Sequence, residues 1–463
     1  MAPQPPRPDR LTAVGDWLRR HQPAIRVVQW TMIGVYAALV TVPAFLPLPD
    51  AAAGILGDLV LFAQFAFWGV WWPAVLLSVV LVGRVWCGFF CPEGALSEFA
   101  SARGRGRAIP RWITWSGWPF TAFVATTVYG QMVSVYQYPR PALLILGGST
   151  LAAVLVGANF GRGKRIWCRY LCPVNGVFGL LAKLSPFHFA VDGDAWRASQ
   201  AASKRRFAPV DCAPLVPIRT MRGASPCHMC GRCSGFRGAI RLAARSPNKE
   251  IVEVAGDSSN PWETALLVYG LIGIAGGAFH WSASPWFVAV KDAAAVWLVD
   301  RDLLWPLESS LPWWLLTNYP ERHDVLVLLD GFLLLAYVGG TAIILGSSVF
   351  GSLILATICL GRWSRRRLHH LAQSLVPIAG CGVFLGLSSL TVTMLRAEGF
   401  ALGWVDRGRG ALLLAASVWS LQLAWLIGRR HAGSAIRRLA SLSFMMAAVT
   451  IANLPWILLF FGW

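Results

Sequence analysis

The sequence predicts an all-α membrane protein that crosses the bilayer about nine times. Hydrophobic residues make up 56% of the 463 residues and charged residues only 14%, and the mean hydropathy is +0.54. Several windows exceed the roughly 20 apolar residues that a helix needs to cross the hydrocarbon core. A chain of this composition is too apolar for a water-soluble protein, so we expect a polytopic membrane protein.

Nine apolar windows are long enough to be membrane spans. They cover residues 24–46, 58–84, 113–136, 142–160, 263–283, 325–347, 371–395, 410–428 and 439–460, and the sixth continues toward residue 360. Five arginines, beginning with Arg7, precede the first window, and no small-residue cleavage site follows it. We therefore expect the N-terminal segment to remain as an anchor rather than to be removed as a signal peptide.

Basic residues are distributed unevenly along the chain. With the N-terminus inside, the inner segments hold 34 of the 41 Lys and Arg residues, as the positive-inside rule requires. The net charge of +19 and the clusters Lys204-Arg205-Arg206 and Arg365-Arg366-Arg367 could attract nucleic acid. Because these clusters flank spans, lipid headgroups explain them better. We predict a bacterial inner (cytoplasmic) membrane protein with a cytosolic N-terminus and no nucleic-acid partner.

One short motif occurs twice, 81 residues apart. It reads Arg84-Val85-Trp86-Cys87-Gly88-Phe89-Phe90-Cys91-Pro92-Glu93-Gly94, and again Arg165-Ile166-Trp167-Cys168-Arg169-Tyr170-Leu171-Cys172-Pro173-Val174-Asn175-Gly176. Each copy follows an apolar window, and the Cys-x3-Cys spacing places two thiols on one helix face. Proline after each pair ends the helical hydrogen bonding, and glycine then permits a turn. Two pairs of thiols are thus expected where the chain leaves the bilayer on the cytosolic side.

A third group of thiols lies in the only long polar stretch. Cys212 is followed by the tight run Cys227-x2-Cys230-x2-Cys233. Cytosolic thiols are kept reduced, so metal binding or redox chemistry is expected in place of disulfides. Zinc and iron–sulfur sites both use four thiolates. The closely spaced run with one remote Cys favours a ferredoxin-type cluster, because zinc sites more often pair two separated knuckles.

Eight thiols suffice for two [4Fe-4S] clusters. We assign Cys87, Cys91, Cys168 and Cys172 to one cluster and Cys212, Cys227, Cys230 and Cys233 to the other. Ferredoxins often exchange one ligand between clusters, which leaves the partition open. The remaining two thiols, Cys359 and Cys381, lie in apolar windows and are interpreted as small core residues.

Composition divides the chain into three regions. Residues 1–183 hold four spans and both motif copies, which we expect to form a parallel repeat about an axis along the membrane normal. Residues 184–262 form a small cytosolic ferredoxin-like iron–sulfur insert, in which a cluster would supply much of the folding free energy. Residues 263–463 hold five further spans and a Trp-rich outward loop, 284–322.

These motifs resemble those of the membrane-bound [4Fe-4S] polyferredoxins, a family that includes the nitrous-oxide reductase regulator NosR, the nitrate-reductase ferredoxin NapH and the oxidase assembly factor CcoG. The resemblance covers roughly residues 58–245 and rests on Trp86-Cys87-x3-Cys91-Pro92-Glu93-Gly94, Trp167-Cys168-x3-Cys172-Pro173 and Pro226-Cys227-x2-Cys230-x2-Cys233. It implies two four-iron clusters that pass electrons between a donor and a partner or metal. The chain departs from NosR in having no flavin domain before the helices, and it has Ser234-Gly235-Phe236 where ferredoxins have another Cys-Pro.

Four arginines stand beside the thiols. They are Arg84, Arg165, Arg169 and Arg232. Their charge would stabilise the reduced form of an anionic cluster. For Arg84 and Arg165 an ordinary interfacial position, with the guanidinium reaching water, is the alternative.

Some histidines and one acid are further candidates. His280 and His323 flank the outward loop and could bind haem, copper or a quinol headgroup, or merely lie at helix ends. His228, between two thiols, is expected to point outward rather than to act as a ligand. Asp330 is an acid inside a span, where a functional role in proton or cation handling is the default expectation.

The sequence therefore predicts a membrane electron-transfer protein. Electrons would pass through the two clusters between a cytosolic or quinol donor and a membrane or periplasmic acceptor, such as a copper ion or a metalloprotein. The enzyme on this interpretation is a quinol- or metal-directed iron–sulfur oxidoreductase. The alternative is a non-catalytic redox-sensing or metalloenzyme-assembly factor that binds a partner through its C-terminal helices, and a third class is a transporter with a structural metal cap.

Overall fold

The computed structural model describes residues 9–50, 52–202, 210–258 and 260–463. In this part of the chain, eight helices are long and apolar enough to cross a membrane. They are Gln22–Phe45, Leu59–Val82, Pro139–Asn159, Pro261–Ala283, Leu328–Cys359, Arg365–Ala397, Val405–His431 and Ala435–Gly462. The prediction of an all-α polytopic membrane protein is confirmed. Arg7 and the cluster Lys204-Arg205-Arg206 lie outside the described residues.

The ninth expected span, residues 113–136, contains a shorter helix. Trp118–Met132 has 15 residues, fewer than the roughly 20 that a membrane crossing requires. The helix starts at a proline in its first turn, and the chain turns sharply after it, with a positive φ of 51° at Ser134. Proline and this left-handed turn limit the helix at both ends, although the apolar composition extends further.

Contacts divide the chain into two compact units made of interleaved segments. The first gathers the described residues within 1–37, 75–116 and 149–254, and the second those within 38–74, 117–148 and 255–463. Long helices such as Leu59–Val82 contribute to both units. The three regions expected from composition remain a prediction.

The first unit contains all eight thiols of the three Cys motifs. Its short helices are Arg10–Arg20, Val85–Phe89, Pro92–Arg103, Trp167–Leu171, Asn175–Leu184 and Gly193–Ala202. Strand β1 (Phe187–Val191) pairs antiparallel with β2 (Ile240–Ala244). Phe189 and Leu242 face each other across this ribbon and are buried in a small apolar core.

The second unit is a bundle of long helices. Leu328–Cys359 packs along both Ala435–Ile457 and the wide π-helical segment Leu266–Ile274. The Trp-rich segment contains the helices Pro285–Val299 and Trp305–Glu308, followed by the two-residue strands β3 (Asn318–Tyr319) and β4 (Asp324–Val325), which pair antiparallel. The loop expected at 284–322 is therefore largely structured.

A buried acid holds the start of the longest bundle helix. Asp330 is 4% exposed. Its Oδ2 accepts a hydrogen bond from the main-chain nitrogen of Val327 at 3.0 Å, and its Oδ1 lies 2.6 Å from the Nζ of Lys291. The side chain thus caps the helix and neutralises a lysine, which gives the acid a structural role.

Replacing Lys291 by Met should destabilise the protein, because it leaves the Asp330 carboxylate buried without a cation. Lys291 is 42% exposed, so we expect a loss of only about 1–2 kcal/mol. The measurement is the thermal midpoint in detergent. The double variant Lys291→Met with Asp330→Asn should recover part of the loss, and equal midpoints for the wild type and Lys291→Met would contradict the assignment.

Candidate metal centre

The first thiol motif is built on a break between two helices. Leu59–Val82 ends at Gly83, whose φ of 73° is a left-handed conformation that glycine adopts without strain. The short helix Val85–Phe89 then carries Cys87. Pro92 begins the next helix, and Cys91 is its N-cap: the Cys91 Sγ accepts a hydrogen bond from the nitrogen of Gly94 at 3.4 Å. Main-chain N–H groups and the helix dipole favour negative charge on this sulfur.

The second copy interlocks with the first. Cys168 lies in a wide π-helical turn, Trp167–Leu171, and Cys172 follows it. The indole Nε1 of Trp167 donates to Oε2 of Glu93 in the first copy at 2.9 Å. A Cβ added to Gly94 would lie 3.4 Å from the sulfur of Cys168 and 3.6 Å from that of Cys91. One thiol from each copy therefore borders the same small space.

All four thiols of the two copies influence one another electrostatically. Burial raises the pKa of Cys91 well above its usual value, and Cys168 and Cys87 raise it further. Burial also raises the pKa of Cys172 well above its usual value, with Glu93, Cys168 and Cys91 adding to the effect. These buried sulfurs become thiolates only where cations compensate their charge. The expectation that the two copies bring their thiols together agrees with this geometry.

The remaining four thiols surround one pocket. Cys212, Cys227, Cys230 and Cys233 line it, together with apolar residues that include Phe189 and Val216. The Cys227 Sγ accepts a hydrogen bond from the nitrogen of Met229 at 3.3 Å. Burial, and next the neighbouring Cys230, raise the pKa of Cys227 to about 12. The remote Cys212 thus lies beside the tight run, as the sequence predicted.

The two groups of thiols meet at a main-chain contact. A Cβ on Gly88, next to Cys87, would lie 2.2 Å from the carbonyl oxygen of His228 and 3.2 Å from the nitrogen of Cys230. Any larger residue would separate the two loops. The Nε2 of Gln29 donates to the Gly88 carbonyl at 2.7 Å, and that of Gln22 donates to the Cys230 carbonyl at 2.8 Å. The first long helix thereby supports both loops.

The arginine that opens each motif copy reaches into the other copy. Arg165, 2% exposed, donates from Nη1 to the carbonyl oxygen of Cys87. Arg84, 3% exposed, donates from Nη2 to Oδ1 of Asn175 at 2.7 Å. Both side chains are buried among the thiols, so the alternative of an interfacial arginine reaching water is wrong. Each motif copy thus places its arginine side chain within the other copy.

Glu98 links Arg165 to the third thiol group. Its Oε2 lies 2.7 Å from the Nε of Arg165, and its Oε1 lies 2.6 Å from the Nη2 of Arg232. Burial acts to raise the pKa of Glu98, but the charges of Arg165 and Arg232 outweigh it and lower the pKa below its usual value. The carboxylate is therefore a charged bridge between guanidinium groups that flank the thiols.

The histidine between the thiols does not point outward. His228 is 2% exposed, and its Nδ1 is buried without a hydrogen-bond partner. Burial, with the charges of Arg84 and Arg165, lowers its pKa well below the usual value. The expectation of a solvent-facing neighbour was wrong, because the close main-chain contact at Gly88 covers this position. The ring is neutral at pH 7.

The other histidine candidates are not brought together. His280 is buried in the second unit, where its Nδ1 lies 2.7 Å from the hydroxyl of Tyr337 and its ring contacts Trp463. His323 is exposed and adopts a left-handed turn, with φ of 53°. No contact among the described residues joins them. A shared outer metal site at these two residues remains only a prediction.

The donor set of each thiol group suits an iron–sulfur cluster. Each group supplies four thiols, and each thiolate of a four-iron cluster binds a different iron atom. The buried Nε of Arg84, which has no partner, also fits an anionic group beside it. The residues present therefore fit an iron–sulfur cluster.

Sequence reasoning gave no role to four polar residues that hold the motif arginines or Trp167. Glu98, Glu93, Asn175 and Gln22 contact the motifs through hydrogen bonds with partners distant in the chain. A usable signal was the acid at Glu98, seven residues after Cys91 and on an otherwise weakly charged helix. Nothing in the spacing reveals its partners, because they lie more than 60 residues away.

Comparison with known proteins gives the same chemistry. A 4Fe-4S binding domain matches residues 64–110 and 143–191, which contain the two motif copies. Over these segments the chain is similar to ferredoxin-type 4Fe-4S proteins. This likeness supports an iron–sulfur cluster at the two motif copies. No solved structure gives a significant match to the chain.

Three curated relatives are similar to part of the chain. YccM of Escherichia coli strain K12, named as an electron transport protein, is 25% identical over 226 residues, covering 43% of this chain and 61% of YccM. NirI of Paracoccus denitrificans is 29% identical over 185 residues, 35% of this chain and 26% of NirI. The methylamine utilization ferredoxin-type protein MauN of the same organism is 23% identical, covering 38% of this chain and 72% of MauN. The chain spans less than two thirds of the first two.

Gly88→Ala should separate the two thiol loops, because the new methyl group would overlap the His228 carbonyl. We expect fewer iron and sulfide ions per chain and a loss of stability of about 1–3 kcal/mol. Iron and sulfide assays with thermal melts check this. The matched control is Gly34→Ala, since a Cβ at Gly34 meets nothing within 4 Å; equal iron loss in both variants would refute the contact.

Proposed function

We propose that the chain carries electrons through two [4Fe-4S] clusters, one held by Cys87, Cys91, Cys168 and Cys172 and the other by Cys212, Cys227, Cys230 and Cys233. The observation that supports this most is the arrangement of eight thiols in two groups of four, in contact through Gly88 and His228. Bound there, each cluster supplies a site that accepts and releases one electron. The tight main-chain contact favours transfer between the groups.

The protein residues perform three tasks in this proposal. The apolar surroundings of Phe189 and Val216 exclude water from the second group, which strengthens electrostatic interactions there. Main-chain nitrogens of Gly94 and Met229 donate to the sulfurs and favour their negative charge. Arg84 and Arg165 place positive charge between the groups, which favours the reduced state.

The membrane setting leads to the proposed partners. We infer that the thiol groups face the cytosol of a bacterial inner membrane, because the chain beside both motif copies is rich in basic residues, among them Arg105, Arg107, Arg162 and Lys164. The donor is then a cytosolic redox protein or a quinol in the bilayer. The acceptor is a membrane or periplasmic partner, such as a copper ion or a metalloprotein.

An anaerobically purified protein should be brown and contain about eight iron atoms and eight sulfides. Cys87→Ala and Cys230→Ala should each abolish a different low-temperature EPR signal of the reduced protein, because they remove ligands from different groups. Cys359→Ala is the matched control and should keep both signals, since Cys359 ends a helix of the second unit and belongs to none of the three Cys motifs.

The possible negative results of these experiments lead to different conclusions. A colourless protein, or one that contains zinc and no iron, would refute the proposed function. Loss of the same signal from Cys87→Ala and Cys230→Ala would refute the partition but leave the clusters. Steady turnover with a quinol or Cu(II) distinguishes an oxidoreductase from a sensing or assembly factor, which would have reducible clusters without turnover.

A further inference from the structure

Arg84 is a buried cation for which the described residues provide no carboxylate. Its Nη1 donates to the carbonyl oxygen of Ser225 at 3.0 Å, and its Nη2 donates to Oδ1 of Asn175 at 2.7 Å. Both acceptors are neutral. Its Nε is buried with no hydrogen-bond partner. A buried charge without an opposite charge is strongly destabilising, so this position requires an anion that the polypeptide does not supply.

The equivalent arginine of the second motif copy is different in this respect. Arg165 forms an ion pair with Glu98 at 2.7 Å, so its charge is already matched within the protein. The two arginines occupy the same position in the repeat and are buried to the same degree. Arg84, unlike Arg165, therefore has no acidic partner among the described residues.

Arg84 faces both groups of thiols. Its Nη2 lies 3.8 Å from the sulfur of Cys87 in the first group. The carbonyl oxygen that it binds, that of Ser225, lies two residues before Cys227. A single guanidinium thus lies between the two proposed cluster sites.

We propose that Arg84 is a counter-cation shared by the two iron–sulfur sites, which offsets negative charge at both and raises both reduction potentials together. This inference rests on the proposed function. Because a guanidinium remains protonated at any physiological pH, the charge stays in place without proton uptake. No carboxylate among the described residues pairs with the guanidinium of Arg84, so the bound clusters supply the opposite charge.

Asn175→Asp tests the charge without moving the arginine. The new carboxylate has nearly the same shape as the amide and accepts the same hydrogen bond from Arg84, but it neutralises the guanidinium. We expect the midpoint potentials of both clusters to fall in EPR-monitored titration with a low-potential chemical reductant. The matched control is Asn159→Asp. Asn159, like Asn175, accepts a hydrogen bond from an arginine, in this case from Nη1 of Arg105, and it donates to the carbonyl oxygen of Leu155.

Substitution of the arginine itself gives a second test. Arg84→Gln should lower both midpoint potentials, whereas Arg84→Lys, which keeps the charge, should leave both closer to the wild type. Arg111→Gln is the control for removal of one positive charge, since Arg111 is exposed, and it should change neither potential.

The outcomes separate the two proposals. A wild-type protein without iron refutes the proposed function itself. Loaded Asn175→Asp or Arg84→Gln protein with unchanged potentials, or with a shift in only one cluster, overturns the shared counter-cation. If Arg84→Gln and Asn175→Asp lose iron while Arg84→Lys retains it, the requirement for charge is supported. Loss of iron from Arg84→Lys as well would show that the position requires the shape of arginine, and would overturn the inference.

Discussion

The close approach of the main chain at Gly88 to the main chain of His228 and Cys230 is the constraint on which the first unit depends. It joins a loop that follows a membrane helix to a loop in the polar insert. Two glutamines of the first long helix hold the carbonyl groups on either side of the contact. Because main-chain atoms meet directly, neither loop can shift without disturbing the other, and the eight thiols form one structural assembly.

Electrostatics explains why so polar a cluster of residues can be buried. Positive and negative groups are neighbours in this site. Glu98 pairs with both Arg165 and Arg232, and Glu93 accepts a hydrogen bond from Trp167. Burial raises the free energy of each charge alone, but opposite charges in a poorly solvated site attract strongly. The two motif copies share this design, and they differ in that the second copy's arginine has an acidic partner within the protein.

Much of this organisation could be predicted from the sequence, because it follows from local rules. Apolar length identified the eight long helices, and the spacing of Cys87 with Cys91 and of Cys168 with Cys172 indicated paired thiols. The limits of local rules appear at residues whose environment is set by distant segments. His228 was expected to point outward because it lies between two thiols, yet a loop 140 residues earlier covers it. Residues 113–136 looked long enough to be a span, but proline and a left-handed turn shorten the helix.

The N-terminal helix Arg10–Arg20 places Leu18 against Gly231, and its Asp16 accepts a hydrogen bond from the hydroxyl of Ser234 at 2.9 Å. These partners are more than 200 residues apart in the chain, and a ribosome adds roughly 5–20 residues per second. The helix is therefore complete about ten to forty seconds before the segment that it covers has been translated. During that interval the loop that packs against this helix has not been made. A basic amphipathic helix then binds the adjacent bilayer surface. The helix can therefore dock only after the loop that contains Gly231 and Ser234 has been made.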